Sequence, residues 1–187
     1  MLLAGLSAWQ GLFDRGALTQ GQRVLIHGAA GGVGNFAVQL AHWRGAYVIG
    51  TASTANVDRV RALGVDEVID HAQARFEDAA GSVNPCLRHH GRGTVRHSFA
   101  VRKAHGRIVS VAQEPPAPVG PRRSKRSILW CGRIVINWWS PKLADALDLR
   151  PVIDRVFSLA EARQAFERTL SPGRIGKTVI DVAGSGE

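Results

Sequence analysis

The run Gly28-Ala29-Ala30-Gly31-Gly32-Val33-Gly34 combines small side chains with a spacing that lets main chain approach an anion closely. Aligned to G-x-G-x-x-G, the residues read Ala29-Ala30-Gly31-Gly32-Val33-Gly34, with alanine in the first glycine position. A dinucleotide-binding turn has three needs: a tight exit from a strand, backbone that can touch a pyrophosphate, and close contact between helix and sheet. Gly31 and Gly34 meet the last two. The pyrophosphate would face free N–H groups at the N-terminus of a helix opening near Gly32. The competing reading is a glycine turn that only packs.

The choice of nucleotide turns on the end of the next strand, about 20 residues on, where an Asp or Glu would hold a ribose 2′-hydroxyl. That place holds Thr51-Ala52-Ser53-Thr54, small and uncharged, which leaves room for a 2′-phosphate. NADP(H) is therefore expected ahead of NAD(H), with Arg59 the nearest guanidinium. A plainer role for Ser53 and Thr54 is to cap the following helix, and the two roles are compatible. The expected cofactor-binding set is Ala29, Ala30, Gly31, Gly32, Val33, Gly34, Thr51, Ser53, Arg59 and Val111. No residue is assigned a catalytic role.

Other candidates fail on spacing. Gly173-Arg174-Ile175-Gly176-Lys177-Thr178 resembles a phosphate loop, but Ser171 stands where its first glycine belongs, and a strand follows where a helix is required. Cys86, His89, His90 and Cys131 have metal-ligand chemistry without paired ligand spacing, so no metal is expected. No G-x-S-x-G elbow supports serine hydrolysis. The expected role of His27 is a packed or hydrogen-bonded histidine.

The elements that must position the turn are legible on either side of it. Apolar residues at helical spacing (Leu3, Leu6, Trp9, Leu12, Phe13) predict a helix over 3–15. Arg23–His27 is a short buried strand, and Phe36 to Trp43 a helix stopped by Gly45. Tyr47–Thr51 is a second strand, and Asn56 to Leu63 a second helix ending at Gly64. Glu67–Asp70 is a third strand. Strand, helix, strand, helix, strand with short links predicts a doubly wound parallel α/β sheet. The pattern then fails through Asn84-Pro85-Cys86-Leu87-Arg88-His89-His90, and order returns at Ser98–Val101 and the strand Arg107–Val111. Ile128 to Trp139 reads as an aromatic-rich strand. The tail reads as strand (Val152–Phe157), helix (from Ser158 or Leu159 through Leu170) and strand (Lys177–Val182).

Composition bounds the rest. The 187 residues are 45% hydrophobic and 21% charged, with a formal net charge of +9, the balance of a globular domain. No apolar run reaches the ~18 residues of a membrane span. Met1–Leu6 is apolar but lacks the basic flank of a signal peptide. Two cysteines build no disulfide framework, so a reducing cytoplasm is expected. The positive charge is concentrated: twelve Lys or Arg lie between Arg88 and Lys142 against one acid, Glu114. With Trp130, Trp138 and Trp139 beside Arg122-Arg123-Ser124-Lys125-Arg126, this stretch suits nucleic-acid binding by charge and stacking. No nucleic-acid module surrounds it, so that reading ranks last. Two Arg-, Pro-, His- and Trp-rich stretches between ordinary blocks are also what translation in a shifted frame would give.

Ala4–Trp9, Val24–Gly34, Ala37–Ala41, Leu63–Asp70, Gly106–Val111 and the segment from Pro151 to Val182 resemble the medium-chain dehydrogenase/reductase superfamily, in particular its zinc-independent quinone oxidoreductases. The resemblance covers about 1–80, 98–116 and 150–182. It implies a Rossmann-type domain over 1–149 and a C-terminal segment, 150–187, that returns to a catalytic domain. It also implies NADP(H)-dependent hydride transfer to a quinone or an α,β-unsaturated ketone. In such proteins a GroES-like catalytic domain precedes the helix at the start of this chain, and here it is expected to be absent. The fourth strand of the sheet is expected to be missing, replaced by 82–97, while 117–149 diverges. Exposed apolar surface then predicts self-association, with Ile134-Val135-Ile136 as the candidate edge strand. The function alternative to catalysis is a nucleotide-binding or interaction protein.

Overall fold

The computed structural model describes residues 2–84, 86–88, 94–101, 106–111, 126–128 and 145–183. β1 (Arg23–His27) is a β-branched run whose last four residues are buried, as a parallel strand covered on both faces must be. Around it lie β2 (Tyr47–Ala52), β3 (Glu67–Asp70), β4 (Cys86–Arg88), β5 (Ile108–Ser110) and β6 (Arg126–Ile128). All pairings are parallel, in the order β3-β2-β1-β4-β5-β6. The order reverses between β1 and β4, which opens a crevice at the carboxyl ends of the strands.

Period 2 sorts the core. Val24, Ile26 and Val48 point to one face, where α1 (Leu2–Trp9) and α2 (Gly34–Trp43) supply Leu6, Ala8, Phe36, Val38 and Leu40. Leu25, Ile49, Ile69 and Ile108 point to the other, against Ala80, Val83 and Val101. Chain between the strands completes the set with α3 (Val57–Arg61), α4 (Phe76–Ala79) and α5 (Thr94–Val101). The helix predicted over 3–15 is α1 followed by a π-helical turn, Gln10–Arg15. Trp9 and Phe13 meet edge to face at 4.6 Å, and both lie near Trp43 at the end of α2.

The fourth strand, expected to be missing, is present. Cys86, Leu87 and Arg88 pair with Leu25, Ile26 and His27 on one side and with Ile108, Val109 and Ser110 on the other. Three residues with neighbours on both sides satisfy a ladder without showing any periodicity, which hides the strand in the sequence. Asn84 fixes its start, donating its N–H to the Arg23 carbonyl at 2.8 Å and accepting the Arg107 N–H on Oδ1 at 3.1 Å. Order also returns earlier than the sequence suggests, because α5 begins at Thr94. The strand expected from Ile128 starts at Arg126, and the remainder of it, with Ile134-Val135-Ile136, lies outside the described residues.

The tail forms β7 (Ile153–Ser158), α6 (Ala162–Leu170) and β8 (Lys177–Asp181), the two strands pairing in parallel as a separate two-stranded sheet. Asp154, with a side chain 5% exposed, receives Arg168 through two hydrogen bonds of 2.6 and 2.7 Å and the Ile175 N–H at 3.3 Å. The Arg168 bonds hold its carboxyl below its ordinary pKa. Leu149 and Ile175 enter the main core. Ile153, Val156, Phe166, Leu170 and Val182 stay exposed.

Candidate functional site

The chain leaves β1 at Gly28, whose φ of +65° is in the left-handed region that favours glycine. The tight exit therefore falls to Gly28, one residue before the aligned motif, while Ala29 in the first glycine position is wholly buried core. Gly31 N–H closes the turn on the Gly28 carbonyl at 2.8 Å. Two bonds tie the turn to the end of β2: Gly28 N–H donates to Thr51 Oγ1 at 3.1 Å, and Ala29 N–H to the Thr51 carbonyl at 3.0 Å.

Gly31 and Gly34 do different things. A Cβ on Gly34 would collide with the Gly28 carbonyl and lie 2.9 Å from Ala29 Cα, so this glycine lets helix and strand touch. A Cβ on Gly31 would meet only the Gly28 oxygen, at 3.1 Å, with open space beyond. Val33 takes the N-cap position of α2 without a side-chain cap, and among the described residues the N–H groups of Gly32 and Val33 donate to no protein group. N–H groups without a protein acceptor at a helix start are what a phosphate needs. A dinucleotide therefore fits these residues.

Beside the turn, at the carboxyl ends of the strands, is a cavity of about 700 Å³ lined by His27, Gly28, Thr51, His71, Phe76 and His97 among others. His27 is buried there, 3.0 Å from Ser98 Oγ through Nε2 and edge-on to the Phe76 ring. At the rim Glu77 receives His97 at 2.6 Å and Arg75 at 3.3 Å. Burial acts to raise its carboxyl pKa, but its own backbone N–H, Arg75 and His97 outweigh burial and hold it below the ordinary value. A second cleft, about 530 Å³, carries Asp58, Glu67 and Asp70. Hydrogen bonds, first from the Thr54 hydroxyl and then from the Ala72 N–H, keep Asp70 below its ordinary pKa. Its charge opposes phosphates, so the first cavity is the better nucleotide cleft.

The structure brings Ala29, Ala30, Gly31, Gly32, Val33, Gly34 and Thr51 together. Ser53 is close in chain at the end of β2 and holds an N-cap position, but its hydroxyl makes no backbone cap. It accepts the Asn56 amide instead, at 3.3 Å. Arg59 is exposed on α3, and its charge acts on Asp154 of the tail. Val111 follows β5 and packs on the core.

Two further neighbours of the turn lie outside the expected cofactor-binding set. Gly28 is one. The other is the tail: Gly176 N–H donates to the Ala30 carbonyl at 2.7 Å, Asn56 Nδ2 to the Arg174 carbonyl at 3.3 Å, and Lys177 lies against Gly32. Nothing local signals this contact, and the expected strand at Lys177–Thr178 is indeed β8 rather than the helix of a phosphate loop. Of the metal-ligand candidates, Cys86 lies in β4, and His89, His90 and Cys131 lie outside the described residues.

A family model described as zinc-binding dehydrogenase matches residues 63–180. The chain belongs to this family, within the medium-chain dehydrogenase/reductase superfamily. It is similar to the polyketide synthase GfsB of Streptomyces halstedii, at 31% identity over 96% of this chain and 4% of that protein. It is also similar to the mitochondrial NAD(P)H oxidoreductase RTN4IP1 of Mus musculus, at 30% identity over 95% of this chain and 53% of that one. Among solved structures, the quinone oxidoreductase from Coxiella burnetii matches with a TM-score of 0.82 and 33% identity, over 96% of this chain and 58% of that chain. The chain thus spans little more than half of these two oxidoreductases and a small part of the synthase. The family description names zinc, yet among the described residues no group of three His, Cys, Asp or Glu offers a metal site. Nor does any described helix have the length and apolarity to cross a membrane.

Proposed function

We propose that this chain is the nicotinamide-dinucleotide half of an NADP(H)-dependent oxidoreductase that reduces a quinone or an α,β-unsaturated carbonyl compound. The supporting observation is the strand–turn–helix at the reversal of strand order, where among the described residues the Gly32 and Val33 N–H groups have no protein acceptor. Relatives named as an NAD(P)H oxidoreductase and a quinone oxidoreductase support the chemistry. When bound, the nicotinamide supplies the hydride.

The chain's own residues bind and orient. Gly28 turns the backbone out of β1, Thr51 locks that turn to β2, and Gly34 lets α2 start close behind the turn, with its helix dipole toward the phosphates. Preference for NADP(H) rests on Ser53 and Thr54. Neither bears charge, and Ser53 keeps its O–H proton for donation while its oxygen accepts from Asn56. Arg59 is the candidate for longer-range attraction to a 2′-phosphate. Cellular location is proposed as cytoplasmic, from the sparse cysteines.

A purified-chain assay tests the reading: NADPH oxidation, followed by its near-ultraviolet absorbance, with a quinone and with an enone as acceptors. Turnover with either supports the oxidoreductase. NADPH binding without turnover favours the second reading, a nucleotide-binding protein without catalysis.

A further inference from the structure

We propose that His27 is a positioning residue of the nucleotide site: its imidazole takes the Thr51 hydroxyl proton and so holds the Thr51 oxygen toward the Gly28 N–H that begins the glycine turn. The inference rests on the dinucleotide reading above and gives a function to a buried histidine that stands outside the glycine motif.

Strand geometry puts the two residues together. β1 and β2 run parallel with Ile26 opposite Gly50, so the next residues, His27 and Thr51, lie side by side. Period 2 sends both to the face of Leu25 and Ile49, where Phe76 of α4 and Val101 of α5 pack, whereas α2 lies on the opposite face. His27 Nδ1 is 3.5 Å from Thr51 Oγ1, and its Nε2 is 3.0 Å from Ser98 Oγ on α5. The Phe76 ring stands edge-on at 4.5 Å and limits the tilt of the imidazole. His27, Thr51 and Ser98 are all buried.

Proton counting sets the roles. Thr51 Oγ1 already accepts the Gly28 N–H at 3.1 Å, and a buried hydroxyl must also place its own proton. Nδ1 is the acceptor that the structure puts beside it. Nδ1 therefore carries no proton, and the Nε2–H donates to Ser98 Oγ. Anchored on α5, the neutral ring turns the Thr51 hydroxyl so that a lone pair faces Gly28. The Thr51 carbonyl holds the Ala29 N–H whatever the side chain does, so the Gly28 bond is the one that depends on the imidazole. At 3.5 Å the bond from Thr51 to His27 is at the outer limit for a hydrogen bond, so its effect on the turn is modest.

The test is NADPH titration, with melting curves, of wild type, His27→Phe, His27→Asn, Thr51→Val and the double variant His27→Phe with Thr51→Val. Phenylalanine keeps a ring against Phe76 but has no acceptor. Asparagine is smaller and leaves a void, yet its Oδ1 can stand in for Nδ1. Losing one hydrogen bond behind the turn should weaken NADPH binding of His27→Phe about three- to tenfold. His27→Asn should bind within about twofold of wild type although it melts lower, because this pair separates the void from the contact. In the Thr51→Val background His27→Phe should change affinity no further, since the hydroxyl that His27 steers is gone. Wild-type affinity in His27→Phe would overturn the role of His27 and leave the dinucleotide reading intact. Affinities that follow the melting order would also overturn it, as would a His27→Phe loss that persists in full in the Thr51→Val background. A wild-type chain that fails to bind NADPH would end both.

Discussion

Gly34→Ala tests the turn because its cost can be worked from backbone atoms alone. The added methyl collides with the Gly28 carbonyl oxygen and falls 2.9 Å from both the Gly28 carbonyl carbon and Ala29 Cα. Real Cβ contacts essentially never come within 3.0 Å, and none of these atoms can swing aside as a side-chain tip can. Overpacking of this kind costs about 1–3 kcal/mol or more, and a clash with fixed backbone belongs at the upper end. Against it stands the helix-propensity gain of Ala over Gly, at most about 1 kcal/mol and smaller at the first helical residue. The clash wins, leaving a net loss of about 2 kcal/mol. For a chain of this size that lowers Tm by roughly 4–8 °C. Gly31→Ala, three residues away, meets only one oxygen at 3.1 Å, so it should melt within about 2 °C of wild type. Scanning calorimetry or a circular-dichroism melt of the two variants decides the matter. Equal Tm values for Gly34→Ala and wild type would refute the close helix–strand contact on which the site's geometry depends.

Thr51→Val leaves the Gly28 N–H without its acceptor and should destabilise the chain by roughly 1–2 kcal/mol, while Thr51→Ser should behave as wild type in the same melt. Asp154 has a lowered folded-state pKa, so its contribution is full above the ordinary carboxylate range and is lost as pH falls through the folded value. Melts taken from neutral pH to below about pH 4 should therefore show a steeper acid decline for wild type than for Asp154→Asn, which starts a few degrees lower. The exposed Ile153, Val156, Phe166, Leu170 and Val182 on the tail predict self-association, seen by light scattering. A monodisperse species of about 20 kDa at working concentration would count against it.

Where an element could be read from the chain, a single physical signal dominated. Arg23–His27 and Glu67–Asp70 are strands at the predicted bounds, because short apolar runs between glycine-marked turns leave a buried parallel strand little alternative. β4 failed that test, since only three residues pair and Pro85, Cys86 and Arg88 show no period, although pairing on two sides makes the strand stable. Gly28 stands outside the expected cofactor-binding set for a different reason. The alignment put the first glycine position on Ala29, whereas the positive φ falls one residue earlier. Lys177 was out of reach altogether, because its contact with Gly32 depends on where the tail docks and nothing local encodes that. Trp130, Trp138 and Trp139 and part of the basic stretch lie outside the described residues, and the origin of that stretch in a shifted reading frame is a proposal that resequencing the gene tests.

The central claim is that a nicotinamide dinucleotide binds at the Gly28–Gly34 turn. Titration of NADPH into the purified chain, followed by the change in cofactor fluorescence, tests it with one variant, Gly31→Val. The branched side chain would fill the open space at Gly31, where main chain must approach the pyrophosphate. Saturable binding to wild type and its loss in a Gly31→Val chain that still folds is the predicted result. Equal affinity in the two proteins would contradict the claim.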